Sequence, residues 1–271
     1  MATLVKDTDT AYHAVKALSN SGIGKMLECP AIFKAWQDGG LDEKTKALDL
    51  GHLFHSLVLE PETVGKYSLL KYQGNTKAGK EERKEAEEQG KITVSAKDWD
   101  AACSMRDALL KKPFAKLFFS QKSLQTEQSL YWEETVNGVS VPCKLRLDAM
   151  ANIPRLGIIP VDLKSSLSAN PEELPKKIYD YGYHRQAAWY LHGLQQVGIH
   201  SQVFVFFFCE KDFPYLVTPI TLKQDAIEYG WQQCQAMLES YAQCVQDNYF
   251  PCYSNDIIEI DLPHWAYRRT A

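Results

Sequence analysis

Most of the chemistry this chain can offer lies between positions 145 and 164. Leu145-Arg-Leu-Asp148 closes one apolar run, and Ile158-Ile-Pro-Val-Asp162-Leu-Lys164 forms another. Residues two apart on a strand share a face, so Asp162 and Lys164 are expected to project together. A hairpin would bring Asp148 opposite them. Paired carboxylates gather a divalent cation, and a lysine beside them can hold a negative nucleophile or a phosphate. The set is suited to metal-dependent phosphodiester hydrolysis. The bland alternative is an edge-strand ion pair. The apolar flanks weigh against it, because charges in a buried strand need a partner or a task.

Three other groups are candidates for the same centre. In Gly51-His52-Leu-Phe-His55, Gly51 and His55 lie one helical turn apart and share a face. Glycine inside a helix costs about 1 kcal/mol relative to alanine, and close approach by a ligand or another backbone would justify it. A lone histidine on an apolar helix is more often a core residue, and His52 competes with His55 for the role. The second group is Tyr179-Asp-Tyr181-Gly-Tyr183-His184-Arg185-Gln186-Ala-Ala-Trp189-Tyr190. Gln186 and Tyr190 share a helix face, and the Arg185 guanidinium matches phosphate. Trp189 is expected to pack on a sheet. The polar aromatic mixture around it suits base stacking and phosphate contacts. The third is Glu127, just before Ser129-Leu-Tyr-Trp132, on a strand expected to pair with the one bearing Asp148.

These residues need a scaffold, and the chain can supply one. Its 271 residues are 45% hydrophobic and 24% charged, which fits a single globular domain. A net charge of -4 argues against a protein that coats nucleic acid with a basic surface, while leaving room for a basic groove. The 7 cysteines include no Cys-x-x-Cys pair, the start lacks a signal-peptide core, and no apolar run approaches a membrane span. A reduced cytoplasmic setting is expected.

The patterning predicts helices over 23–36, capped at Ser19-Asn-Ser21, and from Glu43 to Leu59. Residues 71–91 read as a charged surface segment, with 81–88 as a solvated helix. Ser95 is expected to cap a helix over 96–110. Strands follow at 124–136, 139–150 and 158–165, the first two joined by the hairpin signal Asn137-Gly138. A helix at 176–197, a central strand at 202–209, a further strand at 215–220 and a helix at 222–246 complete the pattern. The tail reads as irregular, with a possible short strand at 257–260. The outline is one domain: a helical lead-in (1–42), a core (43–220) and a C-terminal helix with its tail (221–271). Such an order implies a mixed α/β fold, a three-strand meander with further strands and helices around it.

Taken in order, Gly51-x3-His55, Glu127, Asp148, Asp162-x-Lys164 and Gln186-x3-Tyr190 resemble the motifs of the RecB-type PD-(D/E)xK nucleases. Two stretches, Ala47 to Pro61 and Tyr181 to Tyr190, are similar to the RecE-like group, the exonuclease VIII nuclease domain. The resemblance implies a PD-(D/E)xK core and Mg²⁺-dependent degradation of linear double-stranded DNA, with Mn²⁺ as a substitute. It also implies 5′-to-3′ polarity, a 3′ single-stranded tail, a RecT-type annealing partner in phage recombination, and ring-shaped homo-oligomers. By the same resemblance His55, Asp148, Asp162 and the Leu163 carbonyl would bind metal, and Glu127 would serve a second ion or its water. Lys164 would position the attacking water. Gln186 and Tyr190 would support the site, and with Tyr183, His184 and Arg185 would contact DNA. No iron–sulfur cluster is expected from the cysteine spacing. The alternatives are a structure-specific endonuclease on the same core and a non-catalytic DNA-end-binding scaffold.

Overall fold

The computed structural model describes residues 2–40, 50–72 and 74–269. The lead-in is an ordered arm: strand β1 (Thr3–Val5), then helix α1 (Asp9–Ala14), capped where Thr8 Oγ1 accepts from the Ala11 amide. Pro30 divides the helix expected over 23–36 into α2 (Asn20–Glu28) and α3 (Pro30–Gln37). Proline has no N–H to continue a helix but fits its first turn. Helix α4 is described from Leu50 to Leu59. The start expected at Glu43, with Ala47, lies outside the described residues.

The charged segment is more ordered than its composition implied. Helix α5 (Lys77–Glu88), capped by Thr76, sits between β2 (Tyr67–Leu69) and β3 (Ile92–Val94), which pair in parallel as a separate small sheet. Helix α6 (Ala96–Leu110) follows its Ser95 cap as expected. Helix α7 (Pro113–Phe119) was not foreseen; seven residues are too few to display a period.

The meander consists of β4 (Gln125–Val136), β5 (Val139–Ile153) and β6 (Gly157–Ser166). Asn137 and Gly138 have φ of 51° and 79° at the first turn, the left-handed pair a tight hairpin needs. The helix expected over 176–197 is broken into α8 (Leu174–Asp180) and α9 (Tyr183–Gln196) by Gly182, at φ 70°. Strands β7 (Val205–Glu210) and β8 (Val217–Thr221) and helix α10 (Gln224–Gln246) follow. The tail has no strand at 257–260; a 3₁₀ turn spans His264–Arg269.

The six-stranded sheet runs β1-β4-β5-β6-β7-β8. All neighbours are antiparallel except β6 and β7, whose crossover carries α8 and α9. Helices cover both faces. On one face, Phe206 and Phe208 join a core with Ile23, Phe33, Trp189 and Leu238. On the other, Val205, Phe207 and Cys209 join Leu53, Met105 and Phe118. That double burial is why β7 reads as an unbroken apolar run. Each large apolar side chain so buried stabilises the fold by about 1.5–3 kcal/mol. Among the described residues, no helix is long and apolar enough to cross a membrane.

Helices α9 and α10 approach closely at Gly230. A Cβ there would lie 2.4 Å from the His184 carbonyl oxygen, and backbone cannot yield as a side chain tip can. Gly24, inside α2, has nothing within 4 Å of the same position. In urea unfolding, Gly230→Ala is expected to cost about 1–3 kcal/mol, and Gly24→Ala to add up to about 1 kcal/mol. Equal effects at the two glycines would show that α10 does not sit against α9 in this way.

Candidate active site

The site lies where two strands part. β5 and β6 pair from Ile153↔Gly157 to Ala149↔Val161 and no further, after which β6 continues beside β7 alone. The Leu163 amide therefore lacks a β5 carbonyl, and it donates instead to Asp148 Oδ2 at 2.7 Å. Further up β5, the edge is taken by the segment leading into α2: Leu18 forms a parallel bridge to Cys143.

Side-chain alternation along β5 slips at the same point. Leu145 and Leu147 pack in one core, whereas Ala149, Ala151 and Ile153 pack in the other. A regular strand would keep all five on one face. Across from Asp148, Glu127 drops out of the β4–β5 ladder, although the pairs Thr126↔Ala149 and Gln128↔Leu147 keep one register. Glu127 has φ 53°, a left-handed conformation uncommon outside glycine and a source of strain that surrounding contacts must hold. The irregularity turns both carboxylates toward a common space.

One helix from each layer reaches that space. From α4, His55 Nε2 donates to the Leu163 carbonyl at 2.9 Å, and its Nδ1 lies 3.7 Å from Asp148 Oδ2. The neighbouring His52 is exposed, which separates the two histidines left open by the sequence. On the opposite face, Lys164 Nζ lies 2.6 Å from Asp162 Oδ2 and 4.8 Å from the Tyr183 ring centroid. Gln186, on α9, donates to Asp162 Oδ1. Tyr190, one turn on, is buried and hydrogen-bonded to Gln186.

Burial sets the charge states. It pushes the His55 imidazole down to about 4, helped by Lys164, so the ring is neutral near pH 7. Burial and then the Asp162 charge push Asp148 well above the usual carboxylate range. Burial also raises Glu127, against the pull of Arg146. For Lys164, burial pulls down, but Asp162 and Asp148 outweigh it and hold the ammonium above its ordinary value. The site thus carries a protonated lysine, a neutral imidazole and carboxylates in want of positive charge.

The donor set fits a divalent cation. Ligand atoms of His55, Glu127 and Asp148 all lie within 4.8 Å of one another. One imidazole with oxygen donors suits a hard or borderline ion rather than a thiophilic one. Asp162 is turned toward Lys164 and Gln186 and stands outside that three-residue group.

The residues expected to meet DNA are placed unevenly. His184 is buried between the rings of Tyr179 and Tyr229, with Nε2 2.9 Å from Gln233 Oε1. Gln186 and Tyr190 are also buried. Arg185 folds over Gly182, its Nη1 3.4 Å from Gln233 Oε1. Tyr183 is half-buried and stacks on Tyr181, which is exposed. The sequence reading missed Arg146, whose Nε donates to Glu127 Oε2 at 2.8 Å. Its signal was present: an arginine two residues before Asp148 on an apolar strand.

A mixed sheet with an acid pair and a lysine where its strands separate is the architecture of a PD-(D/E)xK nuclease core. The chain belongs to the family described as a PDDEXK-like domain of unknown function (DUF3799), which it matches over residues 19–261. A crystal structure from Eubacterium rectale, provisionally described as an exonuclease, is similar in fold. It shows a TM-score of 0.62 and 15% identity, with 98% of this chain and 100% of that chain covered. The structure of SSO0001 aligns with a TM-score of only 0.29 and 18% identity over 52% of this chain and 63% of its own. Comparison with curated proteins gives no match.

The Gln186–Asp162 contact can be checked without any activity. Gln186→Leu leaves a buried carboxylate oxygen without its donor and is expected to cost about 1–3 kcal/mol in thermal or urea unfolding. Gln186→Glu, which sets a second carboxylate there, should cost more. A Gln186→Glu protein as stable as the wild type would contradict the placement of this side chain.

Proposed function

We propose that the protein is a Mg²⁺-dependent exonuclease acting on linear double-stranded DNA, and that Mn²⁺ can replace Mg²⁺. The observation that carries this reading is the convergence of His55, Glu127 and Asp148 beside the Asp162–Lys164 pair. A bound divalent cation would lower the pKa of water and neutralise charge developing on a phosphodiester. His55, Asp148, Glu127 and the Leu163 carbonyl would hold it, with Asp162 completing the acidic set. Lys164 keeps its proton and holds the attacking water and the negative phosphate. Gln186 fixes the Asp162 carboxylate so that Lys164 meets it in one geometry. Tyr190 braces Gln186 from within the core. Tyr183 and exposed Tyr181 would offer a DNA strand an aromatic surface, and Arg185, packed on Gly182 and Gln233, would supply a guanidinium beside it.

Exonuclease action, rather than cleavage of any other kind, is supported by the similarity of the motifs to the RecE-like group and by the description of the E. rectale protein. From the RecE-like resemblance come the finer proposals: 5′-to-3′ polarity, 3′ tails, a RecT-type annealing partner, a ring-shaped homo-oligomer and a cytoplasmic location.

End-labelled linear duplex and closed circular DNA, each with Mg²⁺, test the reading. Only the linear substrate should be lost, with label released first from the 5′ terminus, and chelation should stop it. Cutting of the circle would make the protein an endonuclease, and loss of neither substrate would make it a binding scaffold. Lys164→Ala is expected to abolish cleavage while leaving DNA binding near the wild-type level. Full activity in that variant would remove the lysine from the mechanism.

A further inference from the structure

The N-terminal arm, residues 2–18, precedes the span that matches the family, yet it reaches the candidate metal ligands through one continuous chain of contacts. β1 lies along β4, pairing Thr3 with Tyr131 and Val5 with Ser129. This places Asp7 over the start of β4, where it accepts hydrogen bonds from Ser129 Oγ and, at 2.5 Å, from the Tyr131 hydroxyl. Arg146 Nη1 lies 3.3 Å from both the Asp7 carboxylate and its backbone carbonyl. The same guanidinium donates through Nε to Glu127 Oε2 at 2.8 Å. Glu127 in turn stands within ligand spacing of His55 and Asp148. Behind it, Lys144 Nζ donates to the carbonyls of Tyr12 and Val15, closing the end of α1.

Arg146 is therefore shared between two carboxylates. A carboxylate has two oxygens, so Arg146 can orient Glu127 by one and leave the other for a cation. Without Asp7, the guanidinium is released to form a two-pronged pair with Glu127, which would draw that carboxylate away from His55 and Asp148. The left-handed backbone at Glu127 increases the need for an outside hold, since strained conformations persist only where their surroundings impose them.

We propose that the arm is part of the reactive centre: Asp7, acting through Arg146, is a positioning residue that holds Glu127 toward His55 and Asp148 for cation binding. The inference rests on the nuclease reading above and adds a residue to it from outside the family-matched span.

Calorimetric titration of the full chain with Mn²⁺, without DNA, tests it. Wild type, Asp7→Ala, Glu127→Ala and the double variant are compared. Asp7→Ala is expected to weaken Mn²⁺ binding about tenfold, the lower end for outer partners of metal ligands. In the Glu127→Ala background the same change should have no further effect, because the pathway runs through Glu127. A merely structural role would weaken both backgrounds alike, and that result overturns the inference, as does unchanged binding in Asp7→Ala. If Asp7→Ala does not fold, Asp7→Asn keeps the side-chain shape and one acceptor oxygen for Ser129 or Tyr131, and removes the charge facing Arg146. The same dependence on Glu127 is then expected, and its absence counts against the inference. A wild-type protein that binds no Mn²⁺ would sink the nuclease reading as well, which separates the two failures.

Discussion

The structure turns on a place where strand pairing fails. β5 and β6 pair as ordinary antiparallel neighbours up to Ala149 and Val161, then separate. Backbone groups left without a partner inside a protein are costly, and here a side chain makes up the loss: Asp148 accepts from the Leu163 amide. A carboxylate recruited to complete a sheet is thereby fixed in direction, at low exposure, beside a second carboxylate and a lysine. The chemistry proposed for the site needs that fixity, and the sheet needs the carboxylate. Neither requirement can be relaxed alone.

Charge balance extends the same point. Among the described residues, Asp7, Glu127, Asp148 and Asp162 share a small region with the positive side chains of Arg146 and Lys164, and Lys144 stands beside Asp7. His55 is neutral near pH 7 and does not help. Burial, and after it the charge of Asp162, raise the affinity of Asp148 for a proton, which leaves a need for positive charge at the site. A divalent cation would meet it more fully, since it could satisfy several carboxylates at once. The two helical layers serve this arrangement from opposite sides. α4 brings an imidazole to the back of β6, and α9 brings an amide to its front.

Much of this was legible in the sequence, for reasons that can be named. The Asp-x-Lys spacing requires only the two-residue period of a strand, and Asn137-Gly138 set the meander. Helical spacing put Gln186 on one face with Tyr190, whereas His55 was separated from His52 only by the family resemblance. Helix ends were read less well. Pro30 and Gly182 each split a helix that apolar periodicity alone had joined. The phase slip at Asp148 was not readable, because Leu145, Leu147, Ala149 and Ala151 alternate perfectly in sequence while serving two different cores. Burial also changed the meaning of His184: a residue grouped with possible DNA contacts is held between two tyrosine rings inside the protein. Asp7 carried no local signal at all, since its partners lie more than a hundred residues away.

That separation bears on how the molecule comes into being. The Asp7–Ser129 contact spans 122 residues, and contacts so distant along the chain carry a large loop-closure entropy, so they tend to form after local structure. Asp7 has no Ser129 or Tyr131 to grip until β4 has been made. A centre whose Glu127 is steered from so far along the chain would be completed only once these long-range contacts close, and partly folded copies would hold that carboxylate loosely.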